Sequence, residues 1–136
     1  MIVMSKAVIQ KAKSQVYETP DSIWNEIEKV WGIPKDDFFD PCPINPTFNG
    51  LLIPWKKFNY VNPPFLKDTL ELFVIKAIGE ACSGNKTIML LPSKTDQEWF
   101  HTLVKNNYKI HWIRGRIKFK DQTSSIQIPC FLVEIA

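Results

Sequence analysis

The sequence predicts an α/β domain on a mostly parallel sheet, with an antiparallel C-terminal edge and helices on both faces. Three observations carry that reading. Apolar runs of strand length alternate with stretches of helical periodicity from Phe38 to Ile135. The run Thr87–Pro92 (TIMLLP) is almost wholly apolar, as expected of a strand covered on both faces. The apolar runs end in polar or turn-forming residues at Asp40, Asn62 and "PSKTD", which parallel strands would gather on one rim, where open α/β sheets bind ligands.

The elements follow in order. Residues Ser5 to Gln15 read as a short helix or an arm ahead of the domain, and residues 1–136 as one domain. "ETPDSIWNEIEKVWG" reads as a helix: Thr19 is placed to cap it, Pro20 suits the first turn and Gly32 the end. Ile23, Trp24, Ile27, Val30 and Trp31 fall on one face of it. Phe38 to Asp40 suits a short buried strand ending in a carboxylate, and "PCPINPTFNG" after it is a loop. Phe58 to Val61 is a second strand, stopped by Asn62-Pro63-Pro64, because proline lacks an N–H for the ladder.

A long helix follows, about Lys67 to Cys82, with a stripe of Leu66, Leu70, Phe73, Val74, Ala77, Ile78 and Ala81. Leu72 and Ile75 lie off that stripe, so the helix is expected to be buried on more than one side. "TDQEWFHTLVKNN" is the next helix, with Thr95 and Glu98 in capping-box spacing. Three strands close the chain: Tyr108 to Ile113, Arg116 to Phe119, and Gln127 to Ile135. Gly115 reads as a tight turn between the first two, and the short connections predict antiparallel pairing.

Composition narrows the function classes. The 136 residues are 45% hydrophobic and 23% charged, an ordinary globular balance. No apolar run approaches a membrane span, and the first residues lack the pattern of a secretory signal, so a cytoplasmic protein is expected. Cys42, Cys82 and Cys130 form no Cys-x-x-Cys pair, and His101 and His111 lack ligand spacing, so no metal is expected. The net charge is +3, but it is unevenly spread. Lys105 to Lys120 carries only positive charges, whereas Glu18 to Asp40 is acid-rich. The basic stretch suits either phosphate binding or protection of a sheet edge.

Asn-Pro-Pro-aromatic after a strand resembles the catalytic motif of S-adenosylmethionine-dependent amino-methyltransferases. "YETP…W", "FFDPCP", "W…FNYVNPPF", "IMLLPSKTDQEWFH" and "IRGRIKF" together resemble the phage-type DNA N6-adenine methyltransferases, in that family's order, from about Tyr17 onward. The resemblance implies a trimmed Rossmann-like methyltransferase fold. It also implies DNA as partner, the cytoplasm of the host cell for a phage-encoded protein, and S-adenosylmethionine as methyl donor, released as S-adenosylhomocysteine.

The residue types suit that chemistry. The exocyclic nitrogen of adenine is a poor nucleophile because its lone pair is delocalised. The Asn62 side-chain oxygen and the Pro63 carbonyl can each accept one of its N–H groups, and Pro63 and Pro64 hold these acceptors rigid. Phe65 can stack on an adenine turned out of the helix. On the cofactor side the resemblance assigns Tyr17, Thr19, Pro20, Asp40, Pro41, Cys42 and Asn62. Most methyltransferases place a glycine-rich turn after the first strand. This chain has five glycines, no Gly-x-Gly, and "DPCPINP" there instead.

Thr95, Asp96 and Trp99 are candidates for the adenine pocket, against capping and core packing as the alternative. Arg114, Arg116 and Lys118 are candidates for DNA phosphates. Sequence readout would come from the loop Pro41 to Lys57, from the basic strands, or from a second subunit of a homodimer. A catalytically silent nucleic-acid binder, or methylation of RNA adenine or a protein glutamine, are the alternative functions.

Overall fold

The computed structural model describes residues 17–119 and 126–136. The helix or arm expected over residues 1–15 lies outside them. Among the described residues three α-helices and four strands form one mixed α/β layer structure: α1 (Asp21–Trp31), β1 (Phe58–Val61), α2 (Lys67–Cys82), β2 (Lys86–Pro92), α3 (Glu98–Lys105), β3 (Lys109–Phe119) and β4 (Ile126–Ile135).

The sheet order is β1-β2-β4-β3. Only β1 and β2 pair in parallel; β4 is antiparallel to both of its neighbours. The expectation of a mostly parallel sheet is therefore corrected: the reversed strand sits inside the sheet, and β3 forms the edge. Two antiparallel steps restore direction, so β3 runs the same way as β1 and β2. The expected strand at Phe38 to Asp40 is reduced to a single parallel bridge, Phe39 with Asn59. All four segments thus end on one rim, at Asp40, Val61, Pro92 and Phe119.

Period-two alternation divides the core between the faces. Ile88 and Leu90 pack with Ile23, Ile27, Tyr60, Ile117, Phe119 and Leu132 on the α1 side. Met89 and Leu91 pack with Val61, Phe73, Val74, Leu103, Phe131 and Val133 beneath α2 and α3. Helices therefore cover both faces, as expected. The second apolar side of α2 is not covered among the described residues: Ile75 is 62% exposed, and Leu72 and Ile75 border a groove with Leu51 to Pro54. The expected burial on more than one side is thus not met among the described residues, where no further element packs beyond α2.

Two local expectations are also corrected. The strands expected on either side of Gly115 are one strand with an irregularity between Trp112 and Arg116. Gly115 takes φ 76° within it rather than closing a turn. Pairing resumes beyond the irregularity at Arg116, whose partner Pro129 has no N–H to give the ladder. The second correction concerns caps. α3 begins at Glu98 after Gln97, so Thr95 and Glu98 make no capping box. α1 is preceded by Pro20 and has no side-chain cap, so Thr19 does not cap it. Gly32, at φ 69°, does end α1.

Candidate active site

The rim is built from three pieces of chain. β1 starts at a fixed point because Asn59, fully buried, bonds the Lys56 backbone at both ends and donates to the Lys86 carbonyl. It stops at Asn62 because Pro63 and Pro64, both buried, cannot continue the ladder. Tyr17 to Thr19 crosses over this end and delivers polar groups to it.

Asn62 is 6% exposed, and its carboxamide nitrogen donates to the Tyr17 carbonyl at 2.7 Å and to Thr19 Oγ1 at 3.3 Å. A carbonyl only accepts, so the nitrogen must face Tyr17 and the oxygen Oδ1 must face away from it. Thr19 Oγ1 in turn lies 2.7 Å from the Tyr60 hydroxyl. Tyr60 is buried, and burial pushes its phenol well above the usual range. The hydroxyl therefore stays protonated.

Asp40 accepts the Cys42 backbone N–H at 2.9 Å. Burial raises its carboxyl to about 6 against that hydrogen bond, which acts in the opposite direction. Burial, reinforced by the charge of Asp40, pushes the Cys42 thiol up to about 12, so Cys42 is not a thiolate nucleophile. Tyr17, Thr19, Asp40, Cys42 and Asn62 line one cavity of about 220 Å³, together with Trp24 and Lys35.

The loop after Asp40 has its glycine at an unexpected place. A Cβ on Gly50 would lie 1.8 Å from the Pro41 carbonyl oxygen, so only glycine lets the loop close on itself there. The closure is held by Trp55 Nε1 donating to the Gly50 carbonyl at 2.7 Å and by Asn49 Oδ1 accepting from Leu51 at 3.0 Å. The adjacent pair Asn49-Gly50 was the available signal.

Phe65 is half-buried beside Tyr17 and Phe119, with ring centroids 6.0 and 5.9 Å away. It therefore stands at the same rim. Of the other candidates, Pro20 and Pro41 are buried and do not line the cavity, although Pro41 shapes the loop. Trp99 is 4% exposed and stacks on Phe131 in the core, while Thr95 and Asp96 are exposed. The structure thus takes Trp99 away from the rim, because the apolar face of α3 turns it inward. Arg114, Arg116 and Lys118 are exposed and line a separate groove of about 410 Å³ with Ser22 and Glu26 of α1. His111 bonds Glu26 at 2.7 Å and His101 bonds the Thr95 carbonyl at 2.7 Å.

Residues 6–129 match the family model described as DNA N-6-adenine-methyltransferase (Dam). The chain belongs to this Dam family. No curated protein and no solved structure matches it. Membership in the Dam family carries DNA adenine methylation as its general activity and DNA as its substrate. Among the described residues no helix is long and apolar enough to cross a membrane, and no cluster of His, Cys, Asp or Glu could hold a metal.

Tyr60 escaped the sequence reading of this Dam-family site. Strand alternation could have found it, since positions 60 and 62 project to the same side of β1.

Proposed function

We propose that the chain transfers the methyl group of S-adenosylmethionine to N6 of a DNA adenine turned out of the helix. The orientation of Asn62 carries this reading. Its nitrogen is committed to Tyr17 and Thr19, so Oδ1 remains to accept an N–H from an incoming amino group. The Pro63 carbonyl accepts the second N–H. Two fixed acceptors draw electron density onto N6 and favour its tetrahedral geometry. Phe65 stacks on the base.

The residues around the cavity fit the cofactor. Asp40 is a half-buried carboxylate that makes no ion pair among the described residues, and its raised pKa reflects the cost of that charge without a cation. An ammonium group or ribose hydroxyls would satisfy it. The proline-shaped loop closed at Gly50 takes the place of a glycine-rich turn. When bound, S-adenosylmethionine supplies an electrophilic methyl on sulfur. That methyl would pass to N6, with Asp40 and the loop closed at Gly50 holding the donor, Asn62 and Pro63 holding the accepting nitrogen, and the surplus N6 proton going to solvent. The chain's own part is to bind, orient and hold the acceptor; a covalent enzyme intermediate has no place in this scheme. The reversed strand inside the sheet and the common rim fit a trimmed Rossmann-like arrangement, and Arg114, Arg116 and Lys118 are the phosphate contacts in this reading.

The test is product identification. The protein is incubated with methyl-labelled S-adenosylmethionine and unmethylated DNA, RNA or protein, and the digested products are resolved. Label in N6-methyl-deoxyadenosine is expected, with its loss in Asn62→Ala at unchanged fold. Label in RNA adenine or protein glutamine, or in nothing at all, overturns the proposal. Wild-type transfer by Asn62→Ala overturns the mechanism.

A further inference from the structure

The Tyr60 hydroxyl is buried, yet its hydrogen bond among the described residues runs out to the rim rather than into the core. We infer that Tyr60 is a positioning residue that sets the Asn62 carboxamide through Thr19. This deepens the proposed methyl transfer and rests on that reading for its kinetic consequences. Its structural content stands on the geometry alone.

Three observations build it. Tyr60 is 1% exposed and packs against Trp24 at 4.3 Å between ring centroids, so its ring is fixed and its hydroxyl has little freedom. Its hydroxyl and Thr19 Oγ1 are 2.7 Å apart, the ordinary length of a well-formed hydrogen bond between two oxygens. Thr19 Oγ1 then accepts from Asn62 Nδ2 at 3.3 Å, beside the 2.7 Å bond to the Tyr17 carbonyl. A threonine hydroxyl can rotate freely. Bonded to Tyr60 it cannot, and a lone pair is kept pointing at Asn62.

The consequence is directional. Were the carboxamide to turn over, Oδ1 would face the Tyr17 carbonyl and the NH2 would face the amino group to be methylated, leaving two repulsive pairs. The Tyr17 carbonyl resists that turn from one side, and the Tyr60–Thr19 pair holds the carboxamide plane from the other. Thr19 therefore serves the methyl-acceptor side of the rim rather than only the cofactor side; it lies one residue ahead of the N-cap position, Pro20, and its hydroxyl bonds the rim instead. The relay also ties the 17–19 crossing to β1, so the two walls of the cavity cannot shift independently.

The variants are Tyr60→Phe, which removes only the hydroxyl, and Thr19→Val, which removes the other hydroxyl at nearly equal volume, with Thr19→Ser as the conservative control. Two measurements are made. The first follows hydrogen exchange of the Asn62 side-chain NH2 by NMR in the full chain and needs no activity. Exchange is expected to be about fivefold or more faster in Tyr60→Phe and Thr19→Val, the loss of one typical hydrogen bond. The second follows steady-state methylation. For Tyr60→Phe, kcat is expected to fall about five- to tenfold, with the KM for DNA and the Kd for S-adenosylmethionine within about twofold of wild type. Thr19→Ser should stand well above Thr19→Val, and the double variant Tyr60→Phe/Thr19→Val should lose no more than the worse single variant. Unchanged Asn62 exchange in Tyr60→Phe overturns the relay, as do additive losses in the double variant. If wild type methylates no DNA adenine, the proposed function fails, and the exchange measurement still decides the relay.

Discussion

Asp40→Asn should make the protein more stable and worse at binding its cofactor, both at the same pH. The substitution keeps the shape and the hydrogen bond, since an asparagine oxygen can still accept the Cys42 N–H. It removes a charge whose burial costs free energy. The rise from an ordinary 3.8 to about 6 corresponds to about 3 kcal/mol against the charged form. The cavity is open to water, so about 1–2 kcal/mol is the expected gain in the ligand-free protein at pH 8. The sign follows from the raised pKa: the folded state holds the proton to a higher pH than the unfolded state. Wild-type stability attributable to Asp40 is therefore present below about pH 4 and is lost as pH rises through about 6. Urea unfolding of wild type and Asp40→Asn across pH 4–8 should show the variant's advantage growing with pH and vanishing near pH 4. Calorimetry with S-adenosylmethionine should show the opposite preference. Wild-type affinity should be greatest above about pH 6 and fall by up to about tenfold per pH unit below it, whereas the weaker affinity of Asp40→Asn should be flat. A variant that is less stable than wild type at pH 8, or a wild-type affinity indifferent to pH between 5 and 7, would refute the assignment of Asp40 as a half-buried charge awaiting a cation.

Gly50→Ala should cost about 2 kcal/mol and lower Tm by about 5–10 °C, because its methyl group would meet the Pro41 carbonyl at 1.8 Å; thermal unfolding checks this, and cofactor affinity should fall with it. Trp99→Ala should cost about 3–5 kcal/mol in urea unfolding as a core deletion; a raised KM for DNA at unchanged stability would return Trp99 to the adenine pocket. Arg114→Ala with Arg116→Ala should lower the slope of log affinity for DNA against log salt by about 2 without altering kcat at saturating DNA. Phe65→Tyr should keep stacking and activity, whereas Phe65→Ala should raise the KM for DNA in steady-state assays.

Much of the molecule was legible in the chain because its strongest signals are local. Phe58 to Val61 and Lys67 to Cys82 form as read, since a proline pair stops a strand and a continuous apolar stripe makes a helix whatever surrounds them. The motif order pointed to the family, and it placed Asp40 and Asn62 at strand ends. Other features depend on partners distant in sequence. Which strand lies beside β2 is decided by β4, thirty or more residues later, and its reversal inside the sheet has no local mark. Trp99 and Thr95 satisfied a capping and pocket pattern on paper, but the packing of α3 turned one inward and left the other outside the helix. Thr19 looked like a helix cap by its spacing alone. Only the fold brings it to Tyr60, forty-one positions away, and shows where its hydroxyl goes. The sequence by itself determined that Asn62 stands rigidly at the end of a strand. The tertiary structure decided which way its carboxamide faces, because the groups that orient it come from another segment of the chain.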